Sequence, residues 1–211
     1  LSMLPKQIPS LPHLDIAVEM RTATEVGGDY YDFHLAEDGM LTVALGDATG
    51  HGMRAGTMVS VAKALFHELA THPHIPTMFE RFTQGIKAMN FSQLYMALML
   101  VRIKNHTLEA SAAGMPPMLV YRATTQRVET VMMKGMPLGQ FDGFPYQTKA
   151  LALSPGDTIL LMSDGLIEMF NDKNETFDEG RVVGAFTNVG SRSPKKIINH
   201  LVEEGEKWAD G

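Results

Sequence analysis

The chain has 211 residues, 45% of them hydrophobic and 20% charged, so one compact domain can bury a substantial core without a structural metal or a disulfide. The absence of cysteine excludes thiol catalysis, thiolate zinc sites and disulfides, and it fits a reducing compartment. A net charge of −6 without any Lys/Arg run argues against nucleic acid or an anionic membrane as a partner.

The first residues predict a linker. Pro5, Pro9 and Pro12 interrupt any regular element in residues 1–13, and a β-rich pattern begins at residue 14. We therefore predict a proline-rich linker over 1–13 and one domain over 14–211. Because the chain begins with Leu1 and not with Met, we expect it to be a piece of a longer protein. No apolar stretch approaches the roughly 18 residues of a transmembrane helix and no signal peptide is evident, so we expect a cytoplasmic domain without direct membrane insertion.

Apolar periodicity predicts the remaining elements. Strand patterns occupy residues 15–20, 30–35, 41–45, 94–103, 108–113, 118–122, 127–131, 146–153 and 158–162. Helical spacing predicts helices at about 54–71, 77–90 and 194–208, the last with proline in its first turn. This order is not the strict alternation of a doubly wound sheet. It predicts an α+β sandwich, with helices outside largely antiparallel sheets.

Short glycine-bounded aspartate turns stand at the ends of predicted strands. They are Gly27-Gly28-Asp29, GDATGHG at 46–52 and Ser163-Asp164-Gly165. A carboxylate at the end of a rigid strand, beside a glycine that allows close approach, suits a hard cation such as Mg²⁺ or Mn²⁺. If the turns meet in the fold, they form an oxygen-ligand metal site of a hydrolase. Composition alone leaves an ordinary turn role open for all of them.

Several other residues favour structural interpretations. Asp38, Asp142 and Asp157 are interpreted as turn residues. His51, flanked by two glycines, is expected to shape the turn or line a cavity, because oxygen-rich sites for hard cations need no imidazole. The 16 methionines are interpreted as flexible core filler, with an adaptable docking surface as the alternative.

A series of sequence blocks occurs in the order typical of one known family. The blocks are VGGDYYDF at 26–33, GDATGHG at 46–52, AAGMPP at 112–117, GMPLG at 135–139, LSPGD at 153–157 and LLMSDGLIE at 160–168. Together they closely resemble the bacterial SpoIIE-like serine/threonine phosphatases, a branch of the metal-dependent, protein phosphatase 2C-like (PP2C-like) superfamily. The resemblance covers about residues 14–205.

The resemblance implies a four-layer α+β sandwich of two antiparallel β-sheets flanked by α-helices, with two Mn²⁺ or Mg²⁺ ions at one edge. Asp29 would ligate one metal, Asp47 would bridge both, the Ala48 carbonyl would add a ligand and Asp164 would hold the other metal. The three aspartates would act in catalysis through metal-activated water.

The resemblance also implies a phosphoprotein phosphatase that hydrolyses phosphoserine or phosphothreonine on a phosphorylated anti-sigma-factor antagonist of the STAS type. Such domains are commonly output modules of bacterial signalling proteins, behind an N-terminal sensor domain, and a homodimer is left open. Two alternatives also stay open: a metal-poor pseudophosphatase that binds a regulator protein without hydrolysis, and a hydrolase of small phosphoesters.

The chain departs from the family pattern at three places. It ends at Asp210-Gly211, just before the usual Asp-Asp-(Ile or Val)-Thr segment, whose aspartate is a metal ligand, so we expect that segment to lie outside this piece or to be missing. Met115 stands where the family usually has His, which we interpret as a tolerated change at a cavity edge. Residues 177–181 match the family's Phe-Gly segment only loosely. The activity of this fragment is therefore left open.

Overall fold

The computed structural model describes residues 3–21, 27–91 and 93–211. Leu1 and Ser2 of the predicted linker and Val26 of the first sequence block lie outside the described residues. The chain divides into two compact units. The first comprises Leu1–Gln7, Met20–Met115 and Met133–Leu153, and the second comprises Ile8–Glu19, Pro116–Met132 and Ser154–Gly211. Within the described ranges, no helix combines the length and apolarity needed to cross a bilayer.

The secondary structure is mixed. In chain order, the described residues form β1 (Asp29–Leu35), β2 (Leu41–Ala48), α1 (Met53–Leu69), α2 (Ile75–Ala88), β3 (Met96–Lys104), β4 (Thr107–Ala113), β5 (Met118–Arg122), β6 (Arg127–Val131), β7 (Lys149–Ala152), β8 (Thr158–Leu160), α3 (Asp164–Ile167), α4 (Asp178–Val189) and α5 (Pro194–Ala209).

The first unit is built on a five-stranded antiparallel sheet in the order β1-β2-β3-β4-β7. The helices α1 and α2 each have an apolar stripe, and both stripes share one core with the sheet. Tyr30, Phe66, Phe79 and Phe82 are fully buried in this core. Each such aromatic side chain stabilises the fold by about 1.5–3 kcal/mol. The result is a rigid sheet that fixes the ends of β1 and β2 side by side.

A buried arginine fastens the end of α1 to the sheet. Arg102 of β3 is only 4% exposed, and its guanidinium donates hydrogen bonds to the carbonyl oxygens of Pro73 at 2.8 Å, Ala70 at 3.2 Å and His72. The last carbonyls of a helix have no partner within the helix, so a cation with several donors satisfies them well. Burial lowers the pKa of Arg102, and the opposite strand residue Glu109 counteracts that effect.

The second unit combines a three-stranded antiparallel sheet, in the order β6-β5-β8, with α3, α4 and α5. Its core includes Phe186 of α4, Leu201 of α5 and Tyr121 of β5. The Arg181 guanidinium lies 3.9 Å from the centre of the Trp208 ring, an arrangement that links α4 to α5 through a cation–π contact.

A buried carboxylate closes the turn before β8. The Asp157 side chain is 3% exposed and accepts hydrogen bonds from the main-chain N–H groups of Ser154 and Ala123, both at 3.0 Å, and from Arg122 at 2.9 Å. Burial alone would raise the pKa of Asp157, but these hydrogen bonds outweigh it, so its pKa lies below the ordinary value. The turn role predicted for Asp157 is confirmed.

We expect Asp157 to stabilise the fold above about pH 4 and to lose that effect in acid. Because its pKa is lower in the folded state, the contribution is present above the unfolded pKa of about 3.9 and is lost as the pH falls toward the folded pKa. Asp157→Asn should lower the free energy of unfolding by about 1–3 kcal/mol at pH 7 and by less at pH 3. Denaturant titrations at both pH values measure this. Asp142→Asn, at an exposed carboxylate, is the control. An equal loss at both pH values would contradict the assignment.

The predicted α+β fold with two antiparallel sheets and accompanying helices is confirmed. The strands predicted at 118–122 and 127–131 match β5 and β6 residue for residue. The strand predicted at 15–20 is wrong, because no strand of the described chain pairs with these residues and a β-strand requires a hydrogen-bonded neighbour. The strand predicted at 146–153 shortens to β7.

The helix α4 is absent from the prediction. Its sequence contains Gly180 and Gly184 and several β-branched residues, all weak helix formers. Its buried residues Val182, Phe186 and Val189 nevertheless follow helical spacing. Tertiary packing against α5 therefore stabilises a helix that the local sequence favours only weakly.

Candidate metal centre

Two of the predicted ligands face each other across neighbouring strands. Asp29 is the first residue of β1 and Asp47 the penultimate residue of β2, and the antiparallel register pairs them directly. Side chains of directly opposed residues point to the same face, with Cβ atoms about 4.5–5.5 Å apart. Both residues are half-buried. Two carboxylates so placed repel each other, and a divalent cation would offset that repulsion.

Two oxygen atoms beside this pair lie very close to Gly28. The Ala48 N–H donates to the Gly28 carbonyl at 3.0 Å and holds the two strands together beyond the aspartate pair. A Cβ atom at Gly28 would lie 2.6 Å from Asp47 Oδ1 and closer still to the Ala48 carbonyl oxygen. Both oxygens therefore border space that any side chain at residue 28 would occupy. A donor set made only of oxygens fits Mg²⁺ or Mn²⁺.

The loop after β2 is anchored at its start. The Thr49 N–H and hydroxyl both donate to the Tyr95 carbonyl, at 3.0 and 3.1 Å. Gly50 and Gly52 have φ angles of 87° and 72°, a conformation that glycine adopts without strain. His51 is exposed between them, and α1 begins directly afterwards. The anchored loop thus fixes the direction in which the chain leaves Asp47.

Asp164 lies in the second unit. It is exposed and is the first residue of the short helix α3, where its carbonyl accepts a hydrogen bond from the Glu168 N–H at 2.8 Å. Among residues 3–21, 27–91 and 93–211, no group of three or more His, Asp or Glu side chains is arranged to hold a metal ion. The structure therefore brings together Asp29, Asp47 and Ala48, and the role of Asp164 as a ligand stays a prediction.

A buried carboxylate near the candidate centre pairs with basic side chains that local sequence patterns do not connect to it. The Asp32 side chain, on β1, is 3% exposed, and its Oδ2 lies 2.6 Å from Lys63 Nζ and 3.1 Å from His67 Nε2, both on α1. The Tyr30 hydroxyl donates to the same oxygen at 3.2 Å. Burial, together with the nearby Asp32 carboxylate, raises the pKa of Tyr30 far above its ordinary value, so the phenol stays protonated. The cluster ties α1 to the strand that begins with Asp29.

The sequence holds a weak signal for this cluster. Lys63 and His67 are four residues apart, a spacing that places them on one face of α1, close to residues of its apolar stripe. Asp32 lies in a strand that is otherwise largely apolar or aromatic. These features predict an ion pair between Asp32 and Lys63 only when β1 and α1 are already known to be neighbours.

The structure describes the places where the chain departs from the family pattern. Met115 is buried, with 8% of its surface exposed. Phe177 is also buried, and its N–H donates to the Met169 carbonyl at 2.8 Å. Asp178 then has a φ of 58° and forms an ion pair with Arg181. Asp210 follows α5, and its main-chain N–H caps the end of that helix.

Comparison with known proteins identifies the family. The family model described as stage II sporulation protein E (SpoIIE) matches residues 37–211. The chain belongs to this family. The SpoIIE match extends through β2 to the end of α5, so it includes Asp47, Ala48 and Asp164.

Curated and solved relatives agree with the SpoIIE assignment. The phosphoserine phosphatase RsbU of Bacillus subtilis (strain 168) is 26% identical over 172 residues, which cover 79% of this chain and 50% of RsbU. The chain thus spans half the length of that relative. The SiaA-PP2C domain of Pseudomonas aeruginosa has a TM-score of 0.75 at 20% identity, covering 87% of this chain and 74% of that one. The structure of the RsbU and RsbW domains of Rv1364c from Mycobacterium tuberculosis has a TM-score of 0.73 at 24% identity. The match covers 90% of this chain and 53% of that one.

The fold and the enzyme class follow from these matches. At such identities the structural matches establish the fold, which is that of PP2C phosphatases. The SpoIIE family match and the RsbU relationship establish a PP2C-like serine/threonine phosphatase domain, and hence the enzyme class of a phosphoprotein phosphatase.

Proposed function

We propose that the chain is the catalytic domain of a metal-dependent phosphatase that removes phosphate from phosphoserine or phosphothreonine of a protein. The observation that carries the proposal is the opposed pair of Asp29 and Asp47, with Asp47 Oδ1 and the Ala48 carbonyl oxygen both close to Gly28. PP2C-type phosphatases depend on divalent metal ions, and the oxygen donors at this place suit such ions.

The site we propose holds two Mn²⁺ or Mg²⁺ ions. Asp29 would ligate one ion, Asp47 would bridge both, the Ala48 carbonyl would add a ligand and Asp164 would hold the other. When bound, the cations lower the pKa of water toward neutrality and offset negative charge on the phosphoryl oxygens.

The chain's own residues have positioning roles in this site. The β1–β2 ladder holds the Asp29 and Asp47 carboxylates at fixed positions, so little reorganisation is needed when phosphate binds. The Thr49 contacts to Tyr95 hold the loop after Asp47. Because the chain has no cysteine, no thiol nucleophile is available, and direct attack by water needs none.

We further propose that the substrate is a phosphorylated anti-sigma-factor antagonist of the STAS type. Support comes from RsbU, whose name describes a phosphoserine phosphatase, and from the Mycobacterium tuberculosis protein in which RsbU and RsbW domains occur together. In this proposal the chain, residues 14–211 with the 1–13 linker, is the cytoplasmic output domain of a bacterial signalling protein with an N-terminal sensor. Self-association as a homodimer is compatible with such a role.

The substrate class can be tested with the full-length protein and Mn²⁺. Phosphate release is measured from a phosphoserine-containing antagonist protein, from a phosphoserine peptide and from p-nitrophenyl phosphate. We expect kcat/KM to be highest for the phosphoprotein, because binding energy from parts of the substrate remote from the phosphate can lower the barrier.

Two other outcomes would contradict the proposal. A higher kcat/KM for small phosphoesters than for every phosphoprotein tested would indicate a small-molecule hydrolase. Binding of the antagonist protein without hydrolysis of any substrate, at saturating Mn²⁺, would indicate a pseudophosphatase that acts as a binding module.

A further inference from the structure

Gly28 lies against two of the oxygen atoms proposed to bind metal. Gly28 is buried, immediately precedes Asp29 and has an ordinary φ, so its backbone conformation does not require glycine. The requirement comes from space. A Cβ atom there would lie 2.6 Å from Asp47 Oδ1 and 3.1 Å from the Ala48 nitrogen, and closer still to the Ala48 carbonyl oxygen.

These neighbours differ in how easily they can move. The Asp47 carboxylate can rotate away from a new Cβ atom, but rotation would move Oδ1 out of its position close to Gly28. The Ala48 carbonyl belongs to the main chain, within the ladder that β2 forms with β3. Its displacement would disturb the hydrogen bond from the Ala48 N–H to the Gly28 carbonyl, which measures 3.0 Å. A methyl group at residue 28 therefore acts directly on two of the proposed ligand atoms.

We propose that Gly28 is a positioning residue of the metal centre: because it has no side chain, Asp47 Oδ1 and the Ala48 carbonyl oxygen can approach its Cα and keep the positions from which they would hold a cation. This inference rests on the proposed metal dependence. Gly28 has no donor side chain, so it would not itself ligate the cation.

The first test is Mn²⁺ binding by the full-length Gly28→Ala protein, measured by isothermal titration calorimetry and by the electron paramagnetic resonance of free Mn²⁺. We expect the affinity to fall at least tenfold while far-UV circular dichroism stays that of the wild type. Gly184→Ala is the matched control, since Gly184 lies in α4 and a Cβ built there meets no atom within 4 Å apart from its chain neighbours and the nearby backbone of its own helix. The control should bind Mn²⁺ like the wild type.

A second test uses the wild type and does not depend on how the variant folds. Mn²⁺ added below one equivalent broadens the NMR signals of nearby amides through its unpaired electrons. We expect the amides of Gly28 and Ala48 to be among the first to disappear, while that of Gly184 persists.

The outcomes separate this inference from the proposed function. Wild-type affinity in folded Gly28→Ala would overturn the role of Gly28 and leave the proposed phosphatase standing. Unaffected Gly28 and Ala48 amides while Mn²⁺ binds elsewhere would contradict both the role of Gly28 and the proposed metal site. A wild type that binds no Mn²⁺ would instead contradict the proposed metal dependence itself. A Gly28→Ala protein that fails to fold, together with unaffected wild-type amides, would assign Gly28 to strand packing alone.

Discussion

Asp47→Asn is expected to lower the rate of phosphoprotein hydrolysis by more than about 100-fold at saturating Mn²⁺. Changes in groups that only support metal ligands already cost about 10–100-fold, and the proposed role of Asp47 is to bridge both ions. Asparagine has the same shape but no charge, so it cannot balance two divalent cations. Phosphate release from a phosphoserine protein, followed at several Mn²⁺ concentrations, measures the loss.

The fold is expected to tolerate this change. Asp47 is half-buried and directly opposed to Asp29, so removing one of two like charges relieves repulsion between them. The free energy of unfolding without metal should change by less than about 1 kcal/mol. Asp38→Asn is the matched control, because Asp38 is an exposed turn residue paired with Lys104. Full activity of Asp47→Asn at saturating Mn²⁺ would refute its assignment as a bridging ligand.

Arg102→Met is expected to lower the free energy of unfolding by about 3–5 kcal/mol. Methionine fills a similar volume but cannot donate the hydrogen bonds that the guanidinium makes to the carbonyls of Ala70, His72 and Pro73. The Ala70 carbonyl, at the end of α1, is buried and would keep only the longer hydrogen bond from the Thr42 hydroxyl at 3.4 Å, so the loss of the guanidinium is costly there.

Chemical denaturation of Arg102→Met, beside Arg102→Lys and Arg127→Met, measures this effect. Lysine keeps the charge but has fewer donors in a different geometry, so we expect an intermediate loss. Arg127 begins β6 and is exposed, so its replacement should change the free energy of unfolding by less than about 0.5 kcal/mol. A loss below about 1 kcal/mol for Arg102→Met would show that these carbonyls find other partners.

Near the candidate centre, the sequence predicts that a strand is present but not where it ends. The strand predicted at 41–45 continues to Ala48, so Asp47 lies inside a ladder and not in the turn that follows it. Gly46 hides this, because glycine is rare within strands and suggests an end. The ladder, in turn, explains how Asp29 and Asp47 come to oppose each other.

Contacts between distant parts of the chain could not be predicted from local patterns. Asp32 and Lys63 are separated by 31 residues, and Arg102 and Pro73 by 29. Periodicity identifies the elements that carry these residues but not their register or their neighbours. A charged residue within an apolar strand, such as Arg102, indicates that the side chain has a buried partner. The sequence does not identify which residue that partner is.

The burial of several methionines could be predicted from the sequence. Met58, Met78, Met96, Met99 and Met118 are fully buried, which confirms their interpretation as core residues. Met53 is 86% exposed at the start of α1, so burial does not extend to every methionine.

Metal dependence is tested most directly by the activity of the chelated full-length protein. EDTA-treated, desalted protein is assayed on a phosphoserine protein before and after addition of Mn²⁺ or Mg²⁺. We predict no phosphate release above background without metal and restored release with either ion, to a degree that follows the occupancy measured by calorimetry. Undiminished phosphate release from the chelated protein would contradict a metal centre built on Asp29 and Asp47.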